Sequence, residues 1–406
     1  MFDVLIVGGG PVGAAAGALL ARAPGAGRPL AVALLEPRAA ALLGAVPPAG
    51  SDPRVVALSR ASERVLMHAG AWPSLCGPRL SPYERMRIWH ESVAPESEAV
   101  LVFDAADVGE PNLGYIVENH LLQHALLAAF QESGGHIEPA ALESVAVSEQ
   151  CVQVRTTRAA LSARLVVGAD GAHSTLRAAA GLSAETSAYG QTAIVASVAS
   201  TRPHESTAWQ RFMADGTLAF LPLADGTSSI VWSADDALAA RLAATDAAQF
   251  AHELERASDL ALGHIRLLSE RLSFPLARLR VPRYVAQRVA LIGDAAHVVH
   301  PLAGQGVNLG LLDAAALAQQ VTRAVASGED PGALSALRAY ERWRKSEVAA
   351  MGAAIDLFDR LLAHGRSPLA RIAQRGLSLV NRSQELRRFF IYRALGMSGE
   401  LPAAAR

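Results

Sequence analysis

The segment Gly8-Gly-Gly-Pro-Val-Gly13 constrains this chain more than any other. It has the spacing G-x-G-x-x-G, follows the apolar run Phe2 to Val7, and opens an Ala-rich stretch that ends near Pro24-Gly25. Strand, tight turn and helix, in that order, build a dinucleotide-binding βαβ unit. Gly8 permits the turn, Gly10 lets the backbone approach a pyrophosphate, and Gly13 lets the helix pack closely on the sheet. A second apolar run, Ala31 to Leu35, ends at Glu36, 23 residues after Gly13. A carboxylate there accepts hydrogen bonds from an adenosine ribose and repels a 2′-phosphate, so the site suits FAD or NAD rather than NADP.

Two further strand ends separate those cofactors. Leu165-Val-Val-Gly168 leads into Ala169-Asp170-Gly171, with Ser174 or Thr175 as the cap of a following helix. Val289-Ala-Leu-Ile292 leads into Gly293-Asp294. Open α/β sheets hold ligands beyond the carboxyl ends of their strands. Two strand-end acids beyond Glu36 exceed what a nicotinamide needs; they match an extended FAD, whose ribityl chain and isoalloxazine continue past the pyrophosphate. After Asp294, Gly304-Gln305-Gly306-Val307-Asn308 opens a helix with Leu309, Leu312, Leu317 and Val321 at buried-face spacing. Its first backbone N–H groups, at the positive end of the helix, would face the flavin edge where reduction places negative charge. Gln305 fits a ring-edge or loop-shaping place better than that of a base. His297 reads equally as a packed histidine or a participant. His300 suits a structural hydrogen bond better than a proton relay.

From Thr192 the pattern changes to strands. Thr192–Val198, Trp209–Met213, Thr217–Leu223 and Ser228–Ser233 are separated in part by Asp215-Gly216 and Asp225-Gly226 turns, and predict an antiparallel meander. Such a sheet would cover the flavin and wall a substrate pocket, with Trp209, Phe212, Phe220 and Trp232 either lining it or filling the core beneath. From Asp330 the chain reads as helices. The expected division is a discontinuous FAD-binding domain of residues 1–75, 100–182 and 280–330, a substrate-binding β-sheet domain of residues 76–99 and 183–279, and a C-terminal helical region of residues 331–406.

The 406 residues, 51% hydrophobic and 18% charged, can bury a large interior, and a net charge of -1 gives no general attraction to nucleic acid. Cys76 and Cys151 fit no metal or redox spacing, and no metal site is expected. Val4 to Ala21 follows Asp3 rather than a basic segment and holds five glycines and a proline, so it reads as strand, turn and helix, not as a leader or a span. Between Arg366 and Arg406, eight Arg face Glu385 and Glu400 and alternate with apolar residues such as Leu369, Ile372, Leu377, Phe389 and Phe390. That basic amphipathic end suits an anionic membrane surface or docking on protein. The chain is expected in the cytoplasm, either free or peripheral on the inner face of the membrane; its oligomeric state is left open.

The fingerprint with Glu36, the Gly168-Ala-Asp170-Gly171 segment and His300-Pro-Leu-Ala-Gly-Gln-Gly-Val-Asn-Leu-Gly-Leu-Leu-Asp313 together resemble the single-component flavoprotein aromatic hydroxylases. The last segment resembles the signature of their ubiquinone-biosynthesis branch at every fixed position. Asp52-Pro-Arg54-Val-Val-Ala-Leu58, Tyr115 to Asn119 and Gly399-Glu-Leu-Pro402 are similar to that branch too. The resemblance implies a para-hydroxybenzoate hydroxylase-like α/β fold: a Rossmann-like FAD-binding domain, an inserted mixed or antiparallel β-sheet substrate domain and C-terminal helices. It implies bound FAD, NAD(P)H as a transient reductant in the same cleft, and transfer of one oxygen atom from O2 to the ring of a prenylated phenol. It also implies that Arg54 lies near the flavin, where it could steady charge, and that a membrane surface or a ubiquinone-biosynthesis complex could be a partner. The alternatives are a hydroxylase of a small soluble aromatic compound and a flavoprotein that only scaffolds a biosynthetic complex.

Overall fold

In the computed structural model, which describes residues 1–23, 28–50, 52–300, 304–362 and 383–406, two large sheets divide the work. The cofactor sheet is built around Phe2–Val7, which pairs in parallel with Val32–Leu35 on one side and Ala160–Gly168 on the other. Val289–Leu291 extends it in parallel beyond Ala160–Gly168, and His136–Glu138 beyond Val32–Leu35. Val4, Leu5 and Ile6 are fully buried, as expected of a parallel strand covered on both faces. The helix Pro11–Arg22 packs between Asn119–Glu132 and Gln305–Ala326 and shares one core with the sheet. Pro24-Gly25, the expected end of the first helix, and Pro301 to Ala303 of the glycine-rich signature lie outside the described residues, as do Arg366, Leu369, Ile372 and Leu377 of the basic tail.

Among the described residues, the second sheet has nine strands. Thr207–Met213, Gly216–Pro222 and Ser228–Asp235 form a meander, as the turn signals predict. The first of the four expected strands departs from the simple order. Glu185–Ser200 pairs with Ser228–Asp235, because the free edge of Thr207–Met213 takes Arg85–His90 as a parallel neighbour. Leu101–Asp104 pairs onto Arg85–His90, and Leu272–Arg280 onto Glu185–Ser200, so three separate stretches of chain share this sheet. Its outermost strand at one side is His297–Val298, which follows directly from the cofactor sheet's last strand end. The helices Asp236–Ala243 and Ala247–Ala257 cover one face around Phe220, Trp232 and Phe250. A three-stranded sheet, Val55–Ser59, Gly114–Glu118 and Ser81–Tyr83, lies between the two layers in sequence and shares apolar contacts with both.

Candidate flavin site

The fingerprint loop sorts its glycines by what they meet. Gly8 has φ +106°, and a Cβ on it would lie 2.4 Å from the Ala169 carbonyl oxygen. A Cβ on Gly13 would lie 2.0 Å from the Gly8 carbonyl oxygen. Protein atoms alone therefore require glycine at both places. At Gly10, by contrast, no protein atom lies within 4 Å of a Cβ, and Gly10 is the N-cap of Pro11–Arg22 with no side chain capping it. The same pair of facts recurs at the second helix start: nothing lies within 4 Å of a Cβ on Gly306, and Gly304, at φ 63°, begins Gln305–Ala326 without a side-chain cap. The two starts are brought together by Val12. Its methyl groups lie 2.5 Å from a Cβ built on Gly310 and 3.1 Å from one built on Gly293. Two helix N-termini thus present N–H groups that no side chain caps, beside glycines whose smallness the protein itself does not need. Those residues fit FAD: the first start would hold its pyrophosphate and the second its flavin edge.

The three strand-end acids differ. Glu36 is buried; one oxygen accepts from the Gly9 N–H at 3.0 Å and the other from the Arg38 N–H at 3.1 Å, which leaves lone pairs for ribose hydroxyls. Gly9, which the spacing rule leaves unassigned, must be glycine because a Cβ would lie 2.7 Å from that of Glu36. Asp170 is engaged locally: its carboxylate accepts from the Ser174 hydroxyl and, at 3.1 Å, from the Leu176 N–H, tying down the helix Thr175–Ala179. Gly171, at φ +82°, turns the chain with open space around it. Asp294 sits in the turn Gly293–Ala295, its side chain open to solvent although protein packs densely around it. Burial pushes its carboxyl above the usual range, His297 pulls it down, and Asp313 pushes it further up.

Other sequence candidates are more fully committed. The Arg54 guanidinium forks onto Asp52 at 2.8 to 3.0 Å and lies 3.3 Å from His120 Nε2, so its charge is already paired. His300 is buried, 2.9 Å from Gln191 Oε1 and edge-on to Tyr189, which joins the signature segment to the second sheet. The Asn308 side chain accepts from the Ser59 N–H (3.0 Å) and the Ser62 hydroxyl (2.7 Å), and donates to the carbonyls of Ala57 (2.8 Å) and Gly304 (3.2 Å). It is a stitch between elements; only its backbone, with those of Gln305, Gly306 and Val307, stays at the helix start. Asp313 is fully buried and bonded to Arg344, His297 and the Gly293 N–H. Arg344 carried no sequence signal, since 36 of the 37 basic residues are Arg and none stands out by type.

Alternation along the second sheet assigns its two faces. Ser229 donates to the Pro53 carbonyl at 3.2 Å, and Gln191 meets His300, so the face carrying both looks toward the cofactor layer. Register places Ala193, Phe212, Thr217, Val231 and Ser233 on that same face. Trp209, Phe220 and Trp232 fall on the other face, where Phe220 and Trp232 are buried under the helices and Trp209 packs edge-on to Trp89 at 6.1 Å. Of the four aromatics proposed as pocket lining, only Phe212 therefore faces the cofactor layer; the others fill the core or its rim. A cavity of about 360 Å³ bounded by Ile194, Leu267, Glu270 and Arg271 includes none of the residues that point to the cofactor.

A family profile described as FAD binding domain matches residues 1–353. Ubiquinone hydroxylase UbiL of Rhodospirillum rubrum is 37% identical over 401 residues, covering 97% of this chain and 89% of its own. The 3-demethoxyubiquinol 3-hydroxylase of Escherichia coli is 34% identical over 401 residues, covering 97% and 98%. Among solved structures, p-nitrophenol 4-monooxygenase PnpA of Pseudomonas putida superposes with a TM-score of 0.75 at 17% identity over 99% of both chains. At that identity the likeness shows the fold, and it bears out the para-hydroxybenzoate hydroxylase-like α/β arrangement expected from the sequence.

Proposed function

This chain belongs to the FAD-binding-domain family and is an FAD-dependent aromatic-ring monooxygenase, and on that footing we propose that it hydroxylates the ring of a polyprenylated phenol in ubiquinone biosynthesis. Bound FAD supplies the redox chemistry, with NAD(P)H as reductant and O2 as oxygen source. The protein's part is to bind, orient and keep water out. The helix start at Gly304 to Val307 would steady negative charge on the flavin edge through its backbone N–H groups. The cofactor-facing side of the second sheet carries the apolar Phe212, Ala193 and Val231, with the hydroxyls of Thr217 and Ser233 among them suited to the oxygens of a phenol. The full-length likeness to two quinone-ring hydroxylases supports this substrate class most directly.

A lipid-tailed substrate also bears on where the protein works. No helix among the described residues is long and apolar enough to cross a membrane. The helix Gln384–Ala394 docks on its own chain through Ile391, with Arg388 donating to the Asp107 carbonyl, while Leu386, Phe389 and Tyr392 are exposed beside Arg393. That outer stripe supports a peripheral position on an anionic membrane face. The purified protein, given FAD, NADH or NADPH and O2, is expected to add one oxygen to a prenylated phenol, read by mass spectrometry. Oxidation of NAD(P)H without any oxygenated prenyl product, together with turnover of a small soluble phenol, would replace this reading with the soluble-substrate one.

A further inference from the structure

The turn that carries Asp294 is an arch with one oxygen at its base. Asp313 Oδ2 accepts from the Gly293 N–H at 3.0 Å and lies 2.6 Å from His297 Nε2, so a single atom clamps both feet of the arch, with Asp294 between them. The other oxygen, Oδ1, takes the Arg344 Nε–H at 2.7 Å, which stops the carboxylate from rotating. One turn earlier on the same helix, Leu334–Leu362, Tyr340 donates to the Leu291 carbonyl at 2.8 Å, holding the strand that feeds the arch. His297 in turn belongs to the edge strand paired with Leu272–Arg280. Asp313, His297 and Arg344 are all buried. Desolvating such charges costs several kcal/mol each, and apolar side chains of similar volume would join two helices at least as well. Holding helices together therefore does not account for this arrangement.

We propose that Asp313, oriented by Arg344, is a positioning residue for the flavin site: it staples the Gly293–His297 arch so that Asp294 is held toward the bound FAD. Because its Oδ2 also holds His297, the staple fixes the edge of the substrate sheet relative to the cofactor in the same step.

Two variant pairs on flavin-stripped protein test this, with the FAD dissociation constant read from flavin fluorescence and folding read from the melting temperature. Asp313→Leu with Arg344→Met removes the carboxylate and the guanidinium together, so neither of these two is left buried without the other. It is expected to stay folded and to bind FAD at least about tenfold more weakly, the scale of a lost charge-assisted hydrogen bond. His297→Gln, whose amide N–H can replace the ring donor, should keep FAD affinity within about threefold of the parent, while His297→Leu should lose about tenfold. If the Leu/Met pair binds FAD as the parent does, or if the Gln and Leu variants at position 297 bind it equally, Asp313 is only a core charge and the proposal falls. Should the Leu/Met pair not fold, the comparison at position 297 decides alone.

Discussion

At the scale of single residues, smallness and charge near the flavin are arranged at the fold's expense or without its demand. Gly306 has open space where a Cβ would stand, so the fold does not ask for glycine there. Gly306→Val is accordingly expected to leave the melting temperature of the cofactor-free protein within about 2 °C, since surface changes away from packed features fall within about 0.5 kcal/mol, yet to weaken FAD binding at least tenfold. A variant with parental FAD affinity would remove Gly306 from the site. Asp294 is the converse case. Its folded-state carboxyl is pushed above the ordinary value of 3.8, chiefly by burial, so folding with it ionised is penalised. That penalty is absent below pH 3.8 and grows as pH rises from there through the raised folded value, after which it is constant. Flavin-stripped Asp294→Asn should therefore melt higher than the parent at pH 7, with the gap closing toward pH 3.8, while holding FAD less tightly. A lower melting temperature at pH 7 would show that the charge stabilises the fold after all.

At the scale of elements, the part of the site legible in the sequence is the part made by backbone. Gly8, Gly13, Glu36 and the Gln305 helix start could be placed because spacing alone decides which backbone groups converge. Side-chain partnerships with long sequence separation were not legible: Asn308 with Ser59, His300 with Gln191 and Asp313 with Arg344 depend on which elements meet. The choice between lining and core for the four aromatics stayed open for a related reason, because alternation gives two faces but only a tertiary contact, such as Ser229 with Pro53, says which face looks inward. The crossing of Pro11–Arg22 and Gln305–Ala326 is one such meeting whose energetics can be checked. A methyl added at Gly310 would stand 2.5 Å from Val12 Cγ2. Gly310→Ala is expected to cost about 1 to 3 kcal/mol by overpacking, and Val12→Ala in the same chain to recover most of it, as measured by denaturant unfolding. Strict additivity of the two losses would mean that the helices do not meet at this pair.

At the scale of the whole molecule, the two sheets keep separate cores, one around the parallel strands and one beneath the meander, so each could fluctuate independently unless something near the flavin ties them. The structure offers ties on the cofactor-facing side: Ser229 to Pro53, His297 to Arg280 through strand pairing, and Gln191 to His300. His300 is the most telling of these, because it precedes by four residues Gly304, the cap of the helix start proposed to meet the flavin. FAD binding should then slow amide exchange at the Gln191 end of Glu185–Ser200 as well as in the cofactor sheet, whereas the helices Asp236–Ala243 and Ala247–Ala257, on the far face, should be unchanged. Replacing His300 with Ala is expected to abolish the protection around Gln191 while sparing that of Phe2–Val7 and Ala160–Gly168. Hydrogen-exchange mass spectrometry with and without FAD reads both regions in one experiment. Unaltered protection at Gln191 in the variant would mean that the sheets are coupled through the other ties, and that His300 acts only within its own segment.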